Sequence, residues 1–157
     1  MGTVEPVGHM ESKNMKSYAN LARSPGSRPC EIAKARQPSL TAKRIFVAED
    51  ESLVALDIEM VFTAAGAIML GPIGHLEEGL RQVANLSEID AAVLDVDLHG
   101  NEVFPLARVL VERRIPFLFH TGRTDLSGIT ERFPGVKVCA KPGSMEDLVG
   151  EIERLLN

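Results

Sequence analysis

Polar side chains follow four of the short apolar runs in this sequence. Glu49 and Asp50 come after the first run, Asp95 after the third, Thr121 after the fourth and Lys141 after the fifth. The carboxyl ends of parallel strands meet at one edge of a sheet, and ligands bind at that edge. If these runs are strands, carboxylates, a hydroxyl group and an ammonium group converge on one site.

A site of this composition suits the acceptance of a phosphoryl group. Clustered carboxylates repel one another unless a hard cation neutralises them, and magnesium prefers oxygen ligands together with retained waters. Phosphoryl transfer is catalysed mainly by positioning and by neutralisation of charge. An aspartate nucleophile, a cation, a hydroxyl group and an ammonium group provide both. We therefore expect Mg2+ as the cofactor of this site.

The runs that carry these residues alternate with longer amphipathic stretches, which is typical of repeated βα units. Strands buried on both faces are continuously apolar, so the pattern indicates a parallel sheet covered by helices. The predicted strands are 44–48, 67–70, 91–94, 117–119 and 136–140. The predicted helices are 52–65, 76–86, 103–113, 126–133 and 144–156. The last helix opens with a capping box from Ser144 to Asp147.

Length and composition indicate one folded domain with a preceding segment. We place the domain at 43–157, where the βα pattern runs, and expect 1–42 to be flexible or partly helical because it has no sustained period. Gly8-His9-Met10 is also compatible with a tag remnant, and the sequence leaves this open. The two cysteines, Cys30 and Cys139, imply no disulfide framework and fit a reducing cytoplasm.

Charge is divided unevenly along the chain. Residues 1–42 carry six Lys/Arg against three Asp/Glu, whereas 43–157 carry eleven against nineteen. Nucleic-acid binding needs clustered basic residues, so the acidic domain is not expected to bind DNA or RNA. No apolar stretch is long enough to span a bilayer, and the N-terminus does not have the pattern of a signal peptide. We expect a cytoplasmic protein without membrane insertion.

The ordered set of motifs resembles the receiver domains of two-component response regulators, over residues 43–157. The residues that carry the resemblance are the acidic pair after the first strand, Asp95, Thr121 and the Lys141-Pro142 dipeptide. It implies a flavodoxin-like, doubly wound α/β fold with a five-stranded parallel sheet of order 2-1-3-4-5 and helices on both faces.

The resemblance also implies how the phosphoryl group is handled. Asp95 would accept it from a histidine kinase. Thr121 would bond one phosphoryl oxygen and report phosphorylation by moving toward it, while Lys141 would pair with another oxygen. The chain would then be a phosphoprotein that catalyses its own phosphorylation and dephosphorylation rather than an enzyme with a separate substrate.

The metal ligands and two modulating residues follow from the same resemblance. Asp50 and Asp95 would bind Mg2+ directly, Glu49 would act on the ion through water, and the backbone carbonyl of Asp97 would complete the protein's share. The side chains of Asp97 and Arg123 would flank the path of the hydrolytic water. An ion pair between them would slow or steer loss of the phosphoryl group, although two solvated loop charges are an equal interpretation.

Four positions depart from the family pattern. The aromatic residue usual three places before the lysine is Val138, so the familiar aromatic rotation coupled to the threonine cannot operate. The usual proline four places after the phosphoacceptor is His99, and Gly143 follows the Lys-Pro dipeptide in place of an aromatic residue. The fourth strand further resembles a subgroup ending in Phe-Ala-Thr-Gly, with His120 replacing alanine. We expect structural roles for both histidines.

Two other functions remain open at this stage. A receiver-fold adaptor that signals without phosphorylation would tolerate Val138. A phosphohydrolase of the haloacid-dehalogenase type would explain the Asp95-Val96-Asp97 spelling, but its nucleophile normally ends the first strand. On the favoured interpretation the partners are a histidine kinase and a phosphotransferase or downstream protein target, and a weak dimer is left open.

Overall fold

The computed structural model describes residues 39–157, and the predictions made for earlier residues lie outside this part of the chain. The strands are β1 (Arg44–Ala48), β2 (Ile68–Ile73), β3 (Ala91–Leu94), β4 (Asp97–Leu98), β5 (Asn101–Glu102), β6 (Phe117–Thr121) and β7 (Lys137–Ala140). The helices are α1 (Ser52–Ala64), α2 (Leu76–Asn85), α3 (Phe104–Glu112), α4 (Ser127–Arg132) and α5 (Met145–Leu156). No helix among them is long and apolar enough to cross a bilayer.

The five longer strands form one parallel sheet in the order β2-β1-β3-β6-β7. Since β4 and β5 form a separate antiparallel hairpin, this is the predicted order 2-1-3-4-5 of the main strands. The predicted fold class is confirmed. The sheet order places β3 in the centre, so Asp95, which follows it directly, lies between the ends of β1 and β6.

The sheet has a hydrophobic core on each face. Successive side chains of a strand point to opposite faces, and in β1 Ile45 and Val47 pack with one cluster while Phe46 and Ala48 pack with the other. The α1 and α5 side chains belong to the first cluster and those of α2 and α3 to the second. Each fully buried aliphatic or aromatic side chain contributes roughly 1.5–3 kcal/mol, so these layers fix the strand ends that carry the polar residues.

Strand β2 extends farther than expected, to Ile73. The sequence predicts a strand over 67–70 that stops before Gly71-Pro72, but β2 is an edge strand, where proline is tolerated, and its pairing with β1 is irregular between Phe46 and Ala48. Gly71 has φ +115° and an added Cβ would lie 2.5 Å from the carbonyl oxygen of Val47. This close approach requires glycine.

The described chain begins with a turn that is anchored in the core. The side chain of Leu40 is 1% exposed and packs in the same cluster as Ile58 and Phe62 of α1. Its backbone N–H donates to the carbonyl of Ala65 at 2.9 Å. The packed body therefore includes residues before Lys43, the position at which the sequence pattern begins.

Candidate functional site

Lys141 is the centre of a cluster of carboxylates at the carboxyl edge of the sheet. Its Nζ lies 2.6 Å from Asp95 Oδ2, 2.9 Å from Glu49 Oε1 and 3.3 Å from Glu51 Oε1. The Lys141 side chain is 11% exposed, that of Asp95 9% and that of Glu49 1%. The convergence predicted for the first, third and fifth longer strands is confirmed.

Burial and charge have opposite effects on the two most enclosed groups of this cluster. Burial raises the pKa of Glu49 above its ordinary value, and the Lys141 ammonium offsets part of that rise. Burial of Lys141 by itself lowers the pKa of the ammonium group, but hydrogen bonds to Asp95 and Glu49 outweigh it and the pKa is raised. Lys141 is therefore charged at neutral pH and provides the counter-charge of the site.

Asp95 is held by the backbone as well as by Lys141. Its Oδ1 accepts hydrogen bonds from the backbone N–H of Val96 at 2.5 Å and of Asp97 at 3.4 Å. Asp95 itself is buried, with 7% of the residue exposed. One carboxylate oxygen thus faces main-chain donors while the other faces the ammonium group.

Thr121 ends β6 next to this carboxylate cluster. It is buried, and its Oγ1 accepts a hydrogen bond from the backbone N–H of Arg123 at 3.2 Å. Its carbonyl accepts from the N–H of Lys141 at 2.8 Å. The register that pairs β6 with β7 therefore brings the threonine and the lysine to the same edge, as the sequence predicts.

Asp50 is oriented differently from the other acidic residues. Its Oδ2 accepts a hydrogen bond from the backbone N–H of His99 at 2.9 Å and lies 3.1 Å from His99 Nδ1. Among residues 39–157, Glu49, Glu51 and Asp95 each offer one carboxylate oxygen, and these three atoms lie within 4.8 Å of one another. Asp50 is outside this group, and Glu51 was not among the predicted ligands.

The donors at this edge fit a hard cation. They are all carboxylate oxygens, which suits Mg2+. The buried Glu49 Oε2 makes no well-directed hydrogen bond, although Lys141 Nζ is 2.7 Å away. An oxygen lone pair is thus left for a further positive charge. The direct roles of Asp50 and of the Asp97 carbonyl remain predictions.

The expected ion pair between Asp97 and Arg123 is present. Arg123 Nη2 lies 3.5 Å from Asp97 Oδ2, and Asp97 Oδ1 also accepts from the N–H of Gly100 at 2.6 Å. Arg123 has a second partner that the sequence did not indicate, Glu102 at 3.0 Å. Glu102 belongs to the β4–β5 hairpin, which carries no apolar pattern and was not predicted. The effect of the pair on the phosphoryl group remains a prediction.

Three residues of β6 and β7, His120, Val138 and Cys139, lie in or beside the hydrophobic core. His120 is 2% exposed, its Nδ1 has no hydrogen-bond partner, and burial lowers its pKa, so the ring is neutral. Burial raises the pKa of the Cys139 thiol, which makes it a poor nucleophile. Val138 packs against a core cluster that contains Phe104 and Phe119.

Comparisons with known proteins identify the fold and the family. No family model matches the chain. SdrG from Sphingomonas melonis Fr1 is 33% identical, the alignment covers 74% of this chain and 98% of SdrG, and the TM-score is 0.64. A response regulator receiver protein from Sinorhizobium medicae WSM419 is 25% identical, with 75% and 97% coverage and a TM-score of 0.67. The chain belongs to the response-regulator receiver family.

A curated relative of this receiver protein is longer than the matching region. The transcriptional regulatory protein PdtaR of Mycobacterium tuberculosis is 26% identical over 114 residues, which is 71% of this chain and 55% of PdtaR. The chain thus spans about half of that relative. Membership of the Phe-Ala-Thr-Gly subgroup remains a prediction for the receiver.

Proposed function

We propose that this receiver accepts a phosphoryl group on Asp95 from a histidine kinase, in a Mg2+-dependent reaction, and signals by protein contact in the cytoplasm. The observation that supports this best is the placement of Lys141 Nζ 2.6 Å from Asp95 Oδ2, beside the buried Glu49. The buried acids hold this ammonium group against the Asp95 carboxylate. After Asp95 has reacted, the same ammonium group can pair with an oxygen of the bound phosphoryl group.

The residues divide the work of the transfer among them. An oxygen of Asp95 attacks the phosphorus of a phosphohistidine, the new O–P bond forms, the N–P bond breaks, and the imidazole leaves with the bonding electron pair. Lys141 then pairs with a phosphoryl oxygen, and the Thr121 hydroxyl donates to another. Asp50, Asp95 and the backbone carbonyl of Asp97, with Glu49 acting through water, would hold Mg2+, which would supply charge neutralisation between the carboxylates and the incoming group.

The two alternative functions have less support. Asp95 follows the third strand of the sheet and the order is that of receivers, whereas a haloacid-dehalogenase nucleophile normally ends the first strand. An adaptor without phosphorylation gives no reason for a lysine between three carboxylates next to a buried threonine. We therefore expect one phosphoryl group for each chain and no sustained turnover of phosphate esters.

Helix α1 offers the surface on which we expect the kinase to dock. Leu53, Leu56 and Met60 are 79%, 52% and 62% exposed, and their spacing places them along one face of α1, which begins beside the acidic cluster. Asp57 and Glu59 on the same helix are exposed as well. A kinase helix with apolar residues between basic ones complements this face. Leu56→Glu should slow labelling by a phosphorylated kinase but leave labelling by acetyl phosphate unchanged; equal rates with the kinase would exclude this docking face.

Intact mass after incubation with acetyl phosphate and Mg2+ tests the proposed function. The wild-type chain should gain one phosphoryl group, and EDTA should prevent the gain. Asp95→Asn should abolish it, whereas the control Asp57→Asn, which changes an exposed acid on α1, should be labelled like the wild type. Labelling that persists in Asp95→Asn, or a wild-type chain that is never labelled, would contradict the proposal.

A further inference from the structure

Glu102 shares its carboxylate between two arginines from different elements. Its Oε1 accepts a hydrogen bond from Arg123 Nη1 at 3.0 Å, and its Oε2 accepts one from Arg132 Nη1 at 3.3 Å. Glu102 lies in the hairpin after the phosphoacceptor, Arg123 follows β6, and Arg132 is the last residue of α4. The hydrogen bond from Arg123, with a further contribution from Arg132, lowers the pKa of Glu102. It is therefore ionised near neutral pH.

One end of this arrangement reaches the phosphoacceptor. The backbone N–H of Arg123 donates to Thr121 Oγ1 at 3.2 Å, and its guanidinium lies 3.5 Å from Asp97 Oδ2. The N–H of Asp97 in turn is 3.4 Å from Asp95 Oδ1. Arg123 therefore contacts both Thr121, which is expected to bond the phosphoryl group, and Asp97, whose backbone N–H faces the Asp95 carboxylate.

The other end reaches the core beneath α4. The guanidinium of Arg132 lies 4.6 Å from the centroid of the Phe104 ring, a cation–π distance. The Phe104 ring also contacts those of Phe119 and Phe133, at centroid distances of 6.2 and 5.8 Å. The end of α4 is thus held by Glu102 on its polar side and by an aromatic ring on its apolar side.

We propose that Glu102 couples phosphorylation of Asp95 to helix α4, because Arg123 leaves the shared carboxylate for the phosphoryl group while Arg132 stays. This inference rests on the proposed function. The phosphoryl group itself carries a charge of about −1.5 to −2 and three strong acceptor oxygens, to which a guanidinium binds well. Arg123, Glu102 and Arg132 are 39%, 46% and 48% exposed, and exposed ion pairs are weak enough to exchange. We call Arg123, Glu102 and Arg132 the relay. It takes the place of the aromatic residue that is usual in the family at the position of Val138.

Hydrogen exchange of α4 tests the coupling. Amide exchange of residues 127–133 is measured with and without acetyl phosphate and Mg2+ in the wild type and in two single-residue variants. We expect phosphorylation to change the exchange rates of this segment by roughly threefold or more in the wild type, since Glu102, once released by Arg123, pairs with Arg132 alone and this change at the end of α4 alters its local opening. Glu102→Gln keeps the size of the side chain but removes its charge, so the change should largely disappear. The control Glu131→Gln, an exposed acid on α4, should behave like the wild type.

A second variant and a mass measurement separate the outcomes. Arg132→Gln interrupts the relay at its other end and should abolish the α4 response like Glu102→Gln. An α4 response that persists in both variants, or is lost equally in Glu131→Gln, overturns the proposal. So does a phosphorylated wild type whose α4 exchange is unchanged. Intact mass of the same samples reports modification of Asp95, and its absence from the wild type contradicts the proposed function instead.

Discussion

Replacement of Lys141 by methionine should destabilise the protein strongly at high pH and less at low pH. The methionine fills a similar volume, but the ammonium group that contacts Asp95 and Glu49 is lost. Breaking a buried ion pair by removing one partner costs about 3–5 kcal/mol. We expect the lower end, about 3 kcal/mol at pH 8, because Glu51, the third partner, is 63% exposed and can be solvated.

The pH dependence follows from Glu49. Its pKa is already raised by burial, and loss of the lysine raises it further because Lys141 lowers it. A carboxyl with a raised folded pKa contributes stability that is complete below its unfolded pKa and is lost as the pH rises through the folded pKa. The raised pKa of Lys141 keeps the lysine charged throughout the range from pH 5 to 8. The loss caused by Lys141→Met should therefore shrink as the pH falls from 8 to 5.

Urea denaturation followed by circular dichroism at pH 5 and pH 8 measures both effects. The control is Lys137→Met at the start of β7, the strand that Lys141 follows, because Lys137 is 47% exposed and pairs with Glu151 at 2.9 Å. This exposed pair should contribute less than about 1 kcal/mol at either pH. If Lys141→Met costs no more than the control at pH 8, or costs the same at both pH values, the account of the buried cluster is wrong.

Three further changes test other parts of the structure. Gly71→Ala should cost about 2 kcal/mol or more in urea denaturation, because the new Cβ meets the Val47 carbonyl at a positive φ. His120→Leu removes a buried imidazole whose pKa is lowered by burial. In the wild type the unfolded state therefore takes up a proton more readily than the folded state, and stability falls as the pH drops below the unfolded pKa. The leucine variant lacks this loss, so its stability relative to wild type should rise between pH 7 and pH 5.5. Asp97→Ala and Arg123→Ala should each change the decay rate of the phosphorylated protein more than about twofold, since water would reach the acyl phosphate differently; smaller changes in both would remove this role.

The sheet could be predicted because its strands are buried on both faces. Ala91–Leu94 and Arg44–Ala48 are runs without a polar interruption beyond their first residue, and the structure gives them those bounds. The site followed from the same fact, because parallel strands place their carboxyl ends together. The proximity of Thr121 and Lys141 could be predicted without knowledge of side-chain directions, since the backbone register of β6 and β7 alone makes them neighbours.

The contacts of the site that were missed depend on turns and on side-chain directions. The turn at His99, with φ 52°, brings an N–H and an imidazole against Asp50, and the sequence did not indicate these contacts. Glu51 was not among the predicted ligands, although its side chain reaches Lys141. Glu102 gave no signal, because two-residue strands leave no hydrophobic period to detect.

The anchored turn at Leu40 bears on how the protein is handled in the laboratory. A shortened version starting at Lys43 would delete a side chain that fills the space beside Ile58 and Phe62. The cavity left behind would then be filled by water or by the movement of neighbouring side chains. Fusion partners and protease sites are therefore better joined upstream of Ser39, so that Leu40 stays in place and its side chain remains buried.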